Sequence, residues 1–146
     1  MRFRTFSILL GWLALFASNG ALSQSHSHGA AGHAHDKALV LPAGPSAPSV
    51  SASIAKDPVG GWNLHVTATN FRFAPEHASG EHVAGEGHGH IYVNGKKIAR
   101  LYGAWFHIGS LPTGGADIRV TLNANDHREI MVGGKAVEAR LTVPGS

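Results

Sequence analysis

The alternation of residue types over positions 87–93 restricts the fold of this chain more than any other feature. The segment reads Gly-His-Gly-His-Ile-Tyr-Val. Because successive side chains of a β-strand point to opposite faces, His88 and His90 are predicted to project from one face. Ile91 and Val93 then point from the other face, towards a hydrophobic core. A strand of this kind must belong to a sheet that covers a core on one side.

The remainder of the chain after residue 49 has the same β character. Turn signals such as Asn94-Gly95 and Gly133-Gly134 separate short alternating segments, and no segment shows the apolar stripe of a helix. About seven short strands with regular turn signals predict an all-β fold, an antiparallel β-sandwich of immunoglobulin-like or cupredoxin-like architecture. The predicted strands are Ser49–Lys56, Trp62–Thr69, His90–Val93, Lys97–Tyr102, Trp105–Ile108, Asp117–Asn123 and Val137–Val143.

The N-terminal segment predicts export. Arg2 and Arg4 precede an apolar stretch over Ile8–Phe16, and Ala21–Ser23 supplies small residues suited to a cleavage site. A membrane-spanning helix needs ~20 apolar residues, and this stretch is shorter. We therefore expect a secretory signal peptide over residues 1–23, a periplasmic or secreted protein, and no stable membrane insertion after cleavage. An N-terminal membrane anchor is the alternative.

Residues 24–49 are small, polar and rich in proline. This composition buries too little apolar surface to offset the entropy of ordering, so a flexible tail is predicted before a β-sandwich domain over 50–146. The tail is also rich in histidine, a composition that collects transition metals. The alternative is a soluble spacer whose histidines are incidental. The tail histidines are His26, His28, His33 and His35.

Charge and cysteine content exclude several classes of protein. Beyond residue 23 the chain keeps ten of its twelve basic residues and all nine acidic ones, a formal net charge of +1, which gives no support for nucleic-acid binding. The chain contains no cysteine. Disulfides, thiol redox chemistry, blue-copper centres and cysteine zinc sites are therefore excluded.

Histidine is the residue type that carries candidate chemistry, with eleven in the chain. Imidazole binds both copper and zinc well, and three histidines with an open position form a known metal arrangement. Glu86 and Asp126 could add oxygen ligands or orient an imidazole. The alternative is that these histidines are partly exposed polar residues or hydrogen-bonded residues of the interior. The candidate ligands in the domain are His88, His90, His107 and His127.

Two short patterns resemble known proteins. Asn70–Pro75, which reads Asn-Phe-Arg-Phe-Ala-Pro, resembles an early strand of the cupredoxins, although the cysteine ligand of that family is missing. The segments Gly87–Gly95, Leu111–Gly114 and Val120–His127 together resemble small exported bacterial His-rich β-sandwich domains, which are largely uncharacterised. The resemblance implies a β-sandwich fold and export, and it implies no activity.

Three hypotheses for function follow from the sequence. The first is an exported protein that binds copper or zinc for buffering, chaperoning or sensing, with an exported protein as a further partner. The second is a β-sandwich interaction module that binds a protein or polysaccharide without metal. The third is a metal-dependent enzyme with His107 or His127 as general base, although the chain has no nucleophile elbow, phosphate loop or zinc-protease motif.

Overall fold

The computed structural model describes residues 38–145, which form an all-β sandwich with one short 3-10 turn at Pro75–His77. Predicted features in residues 1–37, namely the signal peptide and most of the tail, lie outside the described residues. Within residues 38–145 no helix has the length and apolar character needed to cross a membrane. The strands are β1 (Leu39–Leu41), β2 (Ser49–Lys56), β3 (Trp62–Thr69), β4 (Arg72–Phe73), β5 (Glu86–Val93), β6 (Lys96–Leu101), β7 (Trp105–Ile108), β8 (Gly115–Ala124), β9 (Ile130–Val132), β10 (Lys135–Ala136) and β11 (Glu138–Pro144).

Strand β5 lies in the middle of a five-stranded sheet. One of its edges pairs with β8, which in turn pairs with β11. Its other edge pairs with β4 near residue 86 and with β6 from residue 89 onwards. All of these pairs are antiparallel except β4–β5, which is parallel. This central position places the Gly-His-Gly-His segment between two neighbouring strands.

The second layer is the antiparallel sheet β2-β3-β7, and the main core lies between the two layers. Leu64 of β3, Ile91 of β5 and Val120 of β8 are completely buried there. Burial of one such side chain contributes about 1.5–3 kcal/mol. The core therefore fixes which face of β5 points inwards, and it confirms that Ile91 and Val93 face the core.

A third, smaller sheet has the order β1-β9-β10. Strand β1 pairs in parallel with β9, and Leu39 and Leu41 pack against a second core cluster that includes Leu122 and Ile130. This strand lies inside the range 24–49 that composition predicts to be flexible. Three consecutive apolar residues are enough to extend an existing sheet edge, although they carry no periodic signal of their own.

The glycines of β5 are required by close packing between strands. A Cβ atom at Gly87 would lie 2.0 Å from the carbonyl oxygen of Asn123, and one at Gly89 would lie 3.1 Å from the Cβ of Leu101. Only glycine allows the backbones to approach this closely. The strand starts at Glu86, before the predicted start at His90. The prediction places the start too late because the first residues of the strand carry little apolar signal.

Candidate metal centre

His88 and His90 lie side by side on the face of β5 that points away from the main core. Both are buried, with exposed fractions of 0% and 5%. Their Nε2 atoms are 3.1 Å apart, and their ring centroids are 4.9 Å apart. The predicted alternation along β5 therefore brings the two imidazoles together, and little of either residue is exposed to water.

His127 reaches the same place from the loop between β8 and β9. Its backbone has a φ of 72°, in the left-handed region, and its amide donates to the carbonyl of Ala124 at 2.9 Å. The side-chain amide of Asn123 donates to the His127 carbonyl at 3.2 Å. The Ser79 hydroxyl and the His127 Nε2 atom lie 3.0 Å apart. These contacts fold the loop back over the sheet.

The three imidazoles form one compact group, which we call the histidine triad (His88, His90 and His127). The His127 ring centroid lies 4.7 Å from that of His88 and 6.0 Å from that of His90. One ring nitrogen from each residue lies within 4.8 Å of the others. Tetrahedral zinc with Zn–N bonds of about 2.0–2.1 Å separates two ligand nitrogens by about 3.3 Å. The 3.1 Å between the Nε2 atoms of His88 and His90 is close to that value.

The surroundings keep the two buried imidazoles neutral. Burial lowers the pKa of His88 to about 4, with further contributions from the charges of His127, Arg100 and Lys97. Burial also lowers the pKa of His90 to about 3, and Lys97 is the next largest cause. A metal binds the neutral form of imidazole, so neither residue has to lose a proton to act as a ligand at neutral pH.

The outer nitrogens of the pair have unequal partners. The Nδ1 atom of His90 lies 3.5 Å from the Tyr92 hydroxyl, which is a long contact. The Nδ1 atom of His88 is buried and has no hydrogen-bond partner among the described residues. Metal-binding histidines usually donate this N–H to a carboxylate, carbonyl or water. The nitrogen donor set fits copper or zinc, whereas the outer contacts of His88 and His90 are sparse.

The structure places the other predicted residues elsewhere. His107 lies on β7 of the second sheet, with a 52% exposed side chain, and does not belong to the triad. Its Nδ1 atom lies 3.1 Å from Oδ1 of Asn63 and 3.9 Å from Oδ2 of Asp57. Glu86 pairs with Arg72 and His77, and Asp126 pairs with Arg128. The four tail histidines lie outside the described residues.

A pocket of about 310 Å³ opens beside the triad. His90 and His127 line it together with Lys97 and Arg100. No periodic pattern marks Lys97 and Arg100 as neighbours of the histidines, because they are brought there by an irregularity in β6.

Comparison with protein families, with curated proteins and with solved structures finds no match to this chain. Fold alone does not determine function, since one architecture supports many activities. The function must therefore be inferred from the triad and the pocket beside it.

Proposed function

We propose that this protein binds one copper or zinc ion through the histidine triad and handles that ion by buffering or chaperoning it. The expected signal peptide favours an exported location for this activity. The His-rich tail would raise the local supply of metal, with the triad as the specific site. Metal exchange with an exported protein partner is part of the same proposal.

The observation that carries the proposal is the 3.1 Å separation of two buried, neutral imidazole nitrogens beside a third imidazole. Burial of polar groups costs free energy unless they gain partners. The packing of the sandwich does not need three imidazoles at this position, because its core lies on the opposite face of β5. The Nε2 atoms of His88 and His90 contact each other, and a bound ion replaces that single contact with a metal–nitrogen bond to each of them.

The surroundings of the triad favour exchange of the ion over a purely structural role. Structural zinc sites are closed by four protein ligands, whereas the triad supplies three. Both His90 and His127 line the pocket, so a fourth position faces a space that small molecules can enter. A site with this access suits a protein that takes up and releases an ion.

The test is a titration of the full chain with Cu(II), Cu(I) and Zn(II), in a background whose four tail histidines are changed to alanine. We expect one ion per chain. Loss of a group that merely orients a ligand costs 10–100-fold in affinity, so removal of ligands in the His88→Ala/His90→Ala variant should cost more than about 100-fold. His127→Ala provides a second variant at a loop position, in case the double variant does not fold.

His107→Ala is the matched control, because it removes an exposed histidine of the second sheet. It should leave the affinity unchanged. The proposal is contradicted if the tail-substituted chain binds no ion, or if the folded His127→Ala variant and the His107→Ala variant bind equally well.

One observation favours a second candidate function, a metal-independent interaction module. Trp105 on the second sheet is 66% exposed and lies against His65, with ring centroids 4.3 Å apart. An exposed aromatic surface of this kind suits contact with a sugar ring or an apolar side chain. Calorimetric titration with a soluble polysaccharide should show binding that Trp105→Ala abolishes if this candidate is correct, and triad substitutions should leave that binding unchanged.

A further inference from the structure

The pocket beside the triad carries two positive side chains whose role the metal site alone does not explain. We propose that this pocket binds a small oxygen anion, of carboxylate or phosphate type, as a co-ligand of the bound metal, and that Lys97 and Arg100 hold it. This inference rests on the proposed metal function. It adds the chemistry of the fourth ligand and the residues that select it.

An irregularity in strand pairing brings the two cations to the pocket. Along β5 and β6, Tyr92 pairs with Lys97 and Ile91 pairs with Ala99, so Ile98 is an extra residue in β6. In a regular strand, residues three apart point to opposite faces. Because of the extra residue, Lys97 and Arg100 point to the same face of the sheet. Bulges commonly redirect side chains beside functional sites.

Register places each cation opposite a residue of the site. Lys97 lies across from Tyr92, and Arg100 lies across from His90. Both cations line the pocket with His90 and His127.

The positive charge of the pocket is largely uncompensated. Within residues 38–145, neither Lys97 nor Arg100 forms a salt bridge, and Arg100 contacts the Tyr102 hydroxyl at 3.4 Å. Glu129 is the carboxylate that lines the pocket, and it lies 3.4 Å from Arg119. Lys97 and Arg100 are therefore available to pair with an anion that enters from solvent.

Metal binding makes an anion more favourable at this place. Three neutral imidazoles leave the full charge of a divalent ion uncompensated, and that charge would lie near two further cations. Charges near a partly buried site interact more strongly than charges in water. Water could fill the open coordination position, but only an anion would also reduce the net positive charge.

The chemistry of the cations indicates the class of anion. A guanidinium and an ammonium bind carboxylate and phosphate oxygens through charge-assisted hydrogen bonds. An anion with two or more oxygens can bind the metal with one and the cations with another. A pocket of about 310 Å³ accommodates such an ion. Inorganic phosphate and a small organic acid share this chemistry.

The experiment uses the tail-substituted full chain loaded with one Cu(II) ion. Cu(II) is chosen because nitrogen sites bind it at least as tightly as they bind Zn(II), and because its electron paramagnetic resonance spectrum reports on its ligands. The loaded protein is titrated separately with sodium acetate and with inorganic phosphate in a non-coordinating buffer. We expect a spectral change that saturates as the anion concentration rises. The anion that binds more tightly shows whether the site prefers a carboxylate or a phosphate.

Lys97→Ala/Arg100→Ala is the decisive variant, and Lys96→Ala is its matched control, because Lys96 precedes Lys97 in β6 but does not line the pocket. The double variant should bind the anion about 10- to 100-fold more weakly, since hydrogen bonds to charged groups are lost. It should still bind Cu(II), and Lys96→Ala should bind both like the parent.

Two outcomes overturn the inference, and they differ in what else they affect. If the parent protein binds Cu(II) but its spectrum does not respond to either anion, or responds equally in the double variant, the anion site is refuted and the metal function stands. If the parent protein does not bind Cu(II), both proposals fail, and the preceding metal titration shows this directly.

Discussion

Histidines occur on both sheets of the sandwich, but in contrasting environments. His88 and His90 are buried on the five-stranded sheet, against a third imidazole and without a carboxylate in their group. His107 is half exposed on the three-stranded sheet, where Asn63 and Asp57 surround it. A solvated histidine beside a carboxylate is an ordinary surface arrangement, whereas three clustered imidazoles that include a buried pair form a set of nitrogen donors for a metal ion. Burial and clustering, and not the count of histidines, therefore locate the candidate site.

The largest expected effect concerns how β5 is held. Gly87→Ala would place a Cβ atom 2.0 Å from the carbonyl oxygen of Asn123, and this backbone atom cannot move without disturbing β8. Overpacking typically costs about 1–3 kcal/mol, and a contact this short with a backbone atom should cost more than that range. The free energy of unfolding from urea titration, measured without metal, is the readout.

Gly103→Ala is the control for this substitution, because no atom lies within 4 Å of its added Cβ. Its effect should stay within about 0.5 kcal/mol. Equal stabilities for the two variants would show that β5 and β8 are not packed as closely as described.

The second prediction is a loss of stability at mildly acidic pH in the metal-free protein. The unfolded chain titrates its histidines near pH 6.5, whereas the folded protein lowers the pKa of His88 to about 4 and that of His90 to about 3. Below pH 6.5 the unfolded state therefore binds more protons than the folded state. The free energy of unfolding consequently decreases as the pH is lowered. The loss is complete near pH 3–4 and should be about 4 kcal/mol at pH 5.

Urea titrations at pH 7.5, 6 and 5 measure this slope above the range in which carboxylates titrate. His107→Ala should keep the full slope, because it lies on the other sheet and leaves the buried pair in place. His88→Ala/His90→Ala should reduce the slope. A parent protein with constant stability across this range would refute the buried, neutral state of the pair.

The third prediction has a smaller expected effect. It compares the asparagine that positions His127 with the asparagine that contacts His107. Asn123 donates to the carbonyl of His127, and its side-chain oxygen accepts from the Thr121 hydroxyl at 2.8 Å. Asn123→Ala should release the His127 loop and weaken metal binding about tenfold, the lower end of the effect of outer contacts on a metal site. Calorimetric metal titration of the tail-substituted chain measures this change.

Asn63→Ala is the matched variant on the other sheet, because it removes the partner of His107. It should leave the metal affinity unchanged. If both asparagine variants weaken binding by the same factor, the contrast between the two sheets is wrong.

Periodicity predicted most of the sandwich. Trp62–Thr69 and Trp105–Ile108 form strands with the predicted bounds, because each alternates or is apolar over its whole length. Strands β1, β9 and β10 were not predicted, since each has only two or three residues and depends on pairing with its neighbours. The parallel pairs β1–β9 and β4–β5 likewise depend on tertiary contacts that a local pattern does not encode.

The sequence predicted only the part of the candidate site that lies within a single strand. Alternation alone placed His88 and His90 together on one face of β5. The approach of His127 depends on a loop with a left-handed residue, and the position of Lys97 depends on one extra residue in β6. Neither feature has a periodic signal, so the sequence offered His107 and His127 as equal candidates and did not point to Lys97.

X-ray absorption spectroscopy of the zinc-loaded, tail-substituted full chain counts the imidazoles that bind the ion. We expect three imidazole nitrogens at about 2.0–2.1 Å and one further light-atom ligand. His127→Ala should reduce the number of imidazoles by one, whereas His107→Ala should leave the spectrum unchanged. A zinc ion whose imidazole count does not respond to His127→Ala, or falls in His107→Ala, would contradict the assignment of the triad as the metal site.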